Sequence, residues 1–304
     1  MSASSLASPT PPWVSFGRAT VALLGVVAFS YVVCSVGAGR LLDVAARAGM
    51  GILVLVALEV AILGLETHAA HTLSTADARD TLRGAIAAYT TALLVPGGRV
   101  AGEIARIARL RGASELGRTV HASLVIQAAH VASTVVALVV TLLWVPLPAS
   151  LVAMASGVAA WNAGLSIALF ATPRSSRAIT MLATRVGVEG LRLASVEGRM
   201  RAITAVLLGR GLHWLQAAVA VALVTGRLDA SAGAIAECLQ VLAGAAGDAI
   251  PGQVGLLEAG FDTYGGLFDA HDLGAGVAIA LLLRASRLAL LGPLGLAWWT
   301  TRSR

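Results

Sequence analysis

Apolar residues recur in runs too long for the core helices of a soluble domain, and the polar positions between them fall into short clusters. Runs of spanning length cover residues 19–38, 49–70, 119–143, 149–171, 203–225 and 273–300, each near the roughly 20 residues a helix needs to cross a bilayer. They predict six full spans. Two further apolar stretches, 84–95 and 99–110, are about twelve residues each, too short to cross, and are read as the arms of a re-entrant hairpin. The stretch 231–249 is long enough to cross, but the segment after Pro251 is short and soon turns acidic. Eight spans is therefore the alternative count. With either count the chain returns at each unit to the side it left.

Both short units carry the same interruption. Pro96, Gly97 and Gly98 are followed by Gly102 and Glu103; Pro251 and Gly252 are followed by Gly255 and Glu258. The two prolines are 155 residues apart, and Pro to Glu is seven residues in both copies. Pro and Gly break a membrane helix, and a duplicated break inside a hydrophobic chain is the pattern of a transporter core.

Composition narrows the class. Hydrophobic residues make up 57% of the 304-residue chain and charged residues only 12%, and the mean hydropathy is +0.83, which excludes an ordinary soluble domain. All 22 basic residues are Arg, and the net charge is +6. With no basic stripe interleaved with exposed aromatics, that charge fits cytoplasmic loops and anionic lipid, and nucleic acid is not expected as a partner. Cys34 and Cys238 sit inside apolar segments and read as packing residues.

Arginine placement orients the chain. Arg99, Arg106, Arg109, Arg111 and Arg118 form one cluster, and Arg174, Arg177, Arg185, Arg192, Arg199 and Arg201 form another. Both are expected on the cytoplasmic side. Threading from there puts the tail 1–18 and the tail 302–304 in the cytoplasm, with Arg40 and Arg47 as the exception to the rule. The single transmembrane domain, 19–301, then divides into halves 49–143 and 203–300. Spans 49–70 and 203–225 are three crossings apart, an odd number, so the halves are expected to be inverted. Between them, Ile179, Leu182, Val186, Leu193, Val196 and Met200 recur at helical spacing, predicting an amphipathic interfacial helix over 177–203.

The fold class expected is thus an all-α polytopic integral membrane protein with an inverted repeat. Its motifs resemble those of the lysylphosphatidylglycerol synthase transmembrane, or flippase-like, family. The resemblance rests on Pro96, Gly97, Gly98, Gly102, Glu103 and Arg106, then on Pro251, Gly252, Gly255 and Glu258. The tail from Glu258 through Arg284, Arg287, Gly292 and Gly295 is most similar to the branch associated with hopanoid biosynthesis. Many members carry an acidic and basic pair followed by Asp in the span after the first break. Here that stretch is Gln127, Ala128, Ala129, His130, which puts an ion-pair mechanism borrowed from those relatives in doubt.

Charge inside a span costs about 2.5–3.5 kcal/mol even on the lenient insertion scale, so each such residue must be paired or face water. The candidates are Glu59 and Glu66, Glu103 with Arg99 and Arg106, Arg210, Glu237, Asp248, Glu258, and Arg284 with Arg287. Ser123, Gln127, His130 and Thr134 share one helix face by spacing and either line a polar path or bond between helices as packing glue. A structural salt-bridge lattice, for instance Glu258 with Arg284 or Arg287, stands against a functional cavity. Half-helices starting near Gly98 and Gly252 would present unpaired N–H groups to an anion such as a lipid phosphate. Glu66, His68 and His71 lack the pattern of a metal site, and no nucleophile constellation or nucleotide fingerprint occurs. No metal, cofactor or catalytic residue is therefore expected.

The resemblance implies a bacterial inner-membrane lipid transporter, not an enzyme. It would move a polar-headed or hopanoid lipid by alternating access, with membrane lipids and lipid-biosynthesis enzymes as the partners to expect. The rival from another class is a non-transporting subunit that scaffolds a lipid-modifying enzyme. An integral-membrane lipid transferase or hydrolase using Glu258 as base is the third.

Overall fold

The computed structural model describes residues 39, 46, 48–94, 98–110, 113–170, 195–247, 256–268 and 275–300, and within them the side chains of 94, 167–170, 247 and 295–300 are left aside. The expected first span 19–38, both tails, Pro96, Gly97, Asp248, Pro251, Gly252, Gly255 and the 177–194 part of the amphipathic segment lie outside these residues.

Every regular element among the described residues is helical. In chain order they are α1 (Gly51–Leu73), α2 (Ala78–Leu94), α3 (Gly98–Leu110), α4 (Leu116–Trp144), α5 (Ala149–Phe170), α6 (Val196–Thr225), α7 (Ala230–Gly247), α8 (Leu256–Thr263), a 3₁₀ turn (Gly265–Phe268) and α9 (Ala275–Thr300). Four are long and apolar enough to cross a membrane: Gly51–Leu73, Leu116–Trp144, Val196–Thr225 and Ala275–Leu294. α5 has 22 residues, the length of a span, whereas the apolar part of α7, Ala230–Ala246, is shorter.

Along the long helices large apolar side chains face outward while several charged ones are buried, a distribution unlike that of a soluble domain. Leu53, Val54, Val60, Val139, Val140, Leu143, Trp161 and Leu208 are exposed, while Glu59, Glu66, Arg106, Glu237 and Glu258 are buried. Such a surface is compatible with hydrocarbon. Where α1, α4 and α6 meet, the contact is built largely of alanines: Ala69 and Ala70, Ala122 and Ala129, Ala202 and Ala205. Small side chains let helix backbones approach closely in a medium where the hydrophobic effect does not drive association. A second cluster joins α1, α6, α7, α8 and α9 through Leu55, Val221, Ile235, Phe261, Ile279 and Leu283.

Two boundaries differ from expectation. The arm read as starting at 84 starts at Ala78, and α2 has 17 residues. Asp77 explains the extension: its Oδ1 accepts the backbone N–H of Asp80 at 2.7 Å, an N-cap that the polar composition of 77–83 masks in a hydropathy reading. Likewise, the helix expected to begin at 203 begins at Val196 and runs 30 residues to Thr225. Ser195 caps it by accepting the Gly198 N–H at 3.1 Å, so residues 196–203 are the first turns of α6 and not the end of a separate interfacial helix.

α2 and α3 form an antiparallel hairpin. Gly98 has φ of 36°, in the left-handed region that glycine tolerates, where the chain re-enters a helix after Pro96 and Gly97. One turn on, a Cβ at Gly102 would lie 2.6 Å from the Ala88 carbonyl oxygen, so the two arms touch backbone to backbone.

α1 and α6 are also antiparallel. Gly51 at the start of α1 lies against Leu223 near the end of α6, Gln216 donates to the Leu55 carbonyl at 3.2 Å, and Gly198 at the start of α6 faces the Thr72 carbonyl near the end of α1.

Candidate functional site

Two buried polar networks meet α1 at glutamates two turns apart. Glu59 and Glu66 lie on one face, about 10 Å apart along the axis at 1.5 Å per residue, and both are buried.

The first network gathers around Glu66, and four helices build it. Tyr89 on α2 donates its hydroxyl to Glu66 Oε1 at 2.9 Å. His130, halfway along α4, places Nε2 2.8 Å from the same oxygen. Arg106 on α3 donates from Nη2 to Glu66 Oε2 at 3.2 Å, and the same nitrogen is 3.3 Å from Glu103 Oε1. Gln127 on α4 donates to that Glu103 oxygen at 2.9 Å. Four of the residues predicted from the motif and from helical spacing, Glu103, Arg106, Gln127 and His130, are thus brought together.

The spacing explains why. Glu103 and Arg106 are three apart on α3, and Gln127 and His130 are three apart on α4, so each pair shares a face. Gly102 then allows α3 to sit close enough to α2 for Tyr89 and Arg106 to reach the same carboxylate.

The second network runs across the molecule. Arg210, halfway along α6, donates from Nη1 to Glu237 Oε1 on α7 at 2.6 Å, from Nη2 to Thr134 Oγ1 on α4 at 3.0 Å, and from Nε to Ser133 Oγ at 3.4 Å. Gln240 Nε2 donates to Glu237 Oε2 at 3.4 Å. Arg287, halfway along α9, donates to Gln240 Oε1 at 2.9 Å and to Glu59 Oε1 at 3.0 Å. Two carboxylates and two guanidinium groups balance, and the chain of bonds links helices from both ends of the sequence. Thr134 belongs here, whereas Ser123, expected on the same face, is buried with no bond at its Oγ among the described residues.

A third contact is local to the second short unit. Glu258 on α8 pairs with Arg284 on α9. Of the two partners expected for Glu258, Arg284 takes it, and Arg287 turns to Glu59. Among the described residues the contact parallels Glu103 with Gln127. In each case the glutamate seven residues after a Pro-Gly break bonds the long helix that closes its half.

The two networks are not isolated from each other. His213 on α6 feels the charges of Arg287, Arg210, Glu66 and Arg99, and its Nδ1 is buried without a hydrogen-bond partner among the described residues. Arg99 and Arg210 act electrostatically on His130 as well. Tyr89, Ser133 and Gln240 are members that motif reading missed. The signal for them was available, because a polar side chain inside an apolar run needs a partner.

Among the described residues no group of three or more His, Cys, Asp or Glu side chains is placed to hold a metal ion. No protein-family model, curated protein or solved structure matches the chain.

Proposed function

We propose that this chain is a lipid transporter of the bacterial inner membrane, flippase-like in architecture. The observation that supports this reading best is the antiparallel pairing of α1 with α6 around buried charges held midway along long apolar helices. Helices that occupy corresponding places in the two halves but run in opposite directions are what an inverted repeat requires. Charged side chains halfway along them give a polar headgroup somewhere to sit while its acyl chains stay in lipid.

In this proposal the two halves rock against each other. The α2–α3 hairpin and the unit around α8 approach the centre from opposite faces, with both termini in the cytoplasm. Glu103, Arg106, Gln127 and His130 line the site on one side, and Glu258 with Arg284 lines it on the other. The chain performs no covalent chemistry and uses no cofactor.

The test is leaflet-resolved movement of fluorescently labelled phospholipid in liposomes that contain only this protein. Movement several-fold above protein-free liposomes is expected. No movement for any phospholipid or hopanoid tried would sink the transporter reading. The saturated bonding of Arg210 favours a second reading, a non-transporting subunit whose charges only fasten helices. That subunit would give no movement in liposomes yet would co-purify with a lipid-modifying enzyme.

A further inference from the structure

The first network is incomplete. Arg106 is 97% buried, since its relative exposure is 3%, yet only Nη2 is bonded; Nε and Nη1 have no hydrogen-bond partner among the described residues. Glu66 does not reach them: Oε1 accepts Tyr89 and His130, and Oε2 is bonded to Arg106 through Nη2 alone. Glu103 is half used, with Oε1 taken by Gln127 and Arg106 and Oε2 buried without a partner among the described residues.

A buried guanidinium nitrogen and a buried carboxylate oxygen left unmet are each expensive, because both lose water and gain nothing. Native structures hold few such atoms, and each calls for a bound water, ion or ligand. Here donors and an acceptor are left over within one ion pair. An anion alone would satisfy the guanidinium but would meet the Glu103 and Glu66 carboxylates. A cation alone would satisfy Glu103 and be opposed by Arg106. A group that accepts at one end and donates at the other satisfies both.

We infer that Arg106 and Glu103 together bind a phosphate-bearing headgroup that also carries a hydrogen-bond donor. The phosphate oxygens accept from Arg106 Nε and Nη1, and an ammonium or hydroxyl of the headgroup donates to Glu103 Oε2. This deepens the transporter reading by naming the headgroup class and rests on it for the source being a lipid. A hopanoid without a phosphate leaves the arginine unmet, so the site selects against it.

The chemistry is shared by a phospholipid headgroup and a free phosphate ester, and binding distinguishes them. The probes are dihexanoyl-phosphatidylethanolamine, dihexanoyl-phosphatidylmethanol, which lacks the donor, and soluble phosphoethanolamine. Each is titrated onto the full-length purified protein in nanodiscs, with affinity read by native mass spectrometry. The ethanolamine lipid is expected to bind roughly 10-fold or more tightly than the methanol lipid, the worth of one charge-assisted bond. Glu103→Gln should erase that preference, so that the two lipids bind alike. Arg106→Gln should weaken both lipids, with thermal unfolding to check that it still folds. Should it fail to fold, Glu103→Gln alone carries the test.

Equal affinity of the wild-type protein for the two lipids overturns the inference, as does a preference that survives Glu103→Gln, or no binding of any phosphate probe. Binding of phosphoethanolamine as tight as the lipid supports the headgroup chemistry and assigns it to a free solute. Binding as expected, in a protein that moves no lipid in liposomes, leaves this site standing and removes the transporter reading.

Discussion

Arg210 and Arg106 are both arginines sunk among apolar helices, and they are used in different ways. All three nitrogens of Arg210 are bonded, to Glu237, Thr134 and Ser133 on two other helices. Arg106 uses one nitrogen for two carboxylates and leaves two without partners among the described residues. A saturated guanidinium has its desolvation offset within the protein and acts as a fastener between helices. An unsaturated one has its compensation still to come. The difference teaches that burial of charge in a membrane protein does not by itself mark function, and that the count of unmet atoms separates the two uses.

The largest effect should come from the fastener. Arg210→Ala strands Glu237, which is buried, and is expected to destabilise the protein by about 3–5 kcal/mol in micelle unfolding. Arg210→Met combined with Glu237→Leu removes both charges and should recover most of that loss. If single and double variants unfold alike, Arg210 is not a fastener and the contrast collapses.

Next in size is the hairpin that carries Arg106. Gly102→Ala drives a methyl into the Ala88 carbonyl and should cost about 1–3 kcal/mol, with loss of headgroup binding as the arms separate. Gly209→Ala on α6 meets nothing within 4 Å and serves as the control, neutral or slightly stabilising through helix propensity.

Smaller still, Gln127→Leu removes one donor from Glu103 Oε1, which Arg106 continues to serve, for about 1 kcal/mol by the same unfolding assay. Ser133→Ala removes the longest of the three Arg210 bonds, at 3.4 Å, and should cost no more than about 0.5 kcal/mol. A larger loss there would mean that the fastener depends on all three bonds together.

Glu103, Arg106, Gln127 and His130 were legible because their information is local. Three-residue spacing on a helix fixes a shared face, and the Pro-Gly break fixes where that helix begins. Which residue each would touch was not legible. Glu59 and Arg287 are 228 positions apart, and nothing in the local pattern of either segment says that α1 and α9 are neighbours. Tyr89 was overlooked for the opposite reason: a tyrosine in an apolar arm looks like packing until its hydroxyl is seen to need an acceptor. The alternatives for Glu258 were both sound by charge, and the third dimension chose Arg284. Hydropathy also missed the starts of α2 and α6, because both helices open on polar, capped turns where the cap, and not the apolar pattern, sets the boundary.

α1 holds Glu59 and Glu66 on a single unbroken rod, and each glutamate answers to a different network. α1 is therefore the shared element between the bonds that Glu66 makes with Arg106 and those that Glu59 makes with Arg287. Thermodynamic reciprocity then applies: if occupancy beside Arg106 alters the strength of the Glu59–Arg287 contact, a change at that contact must alter affinity beside Arg106 by the same factor. Weakening the far contact, as in Arg287→Gln, would thus retune the near site by way of α1, without touching any atom that meets the ligand.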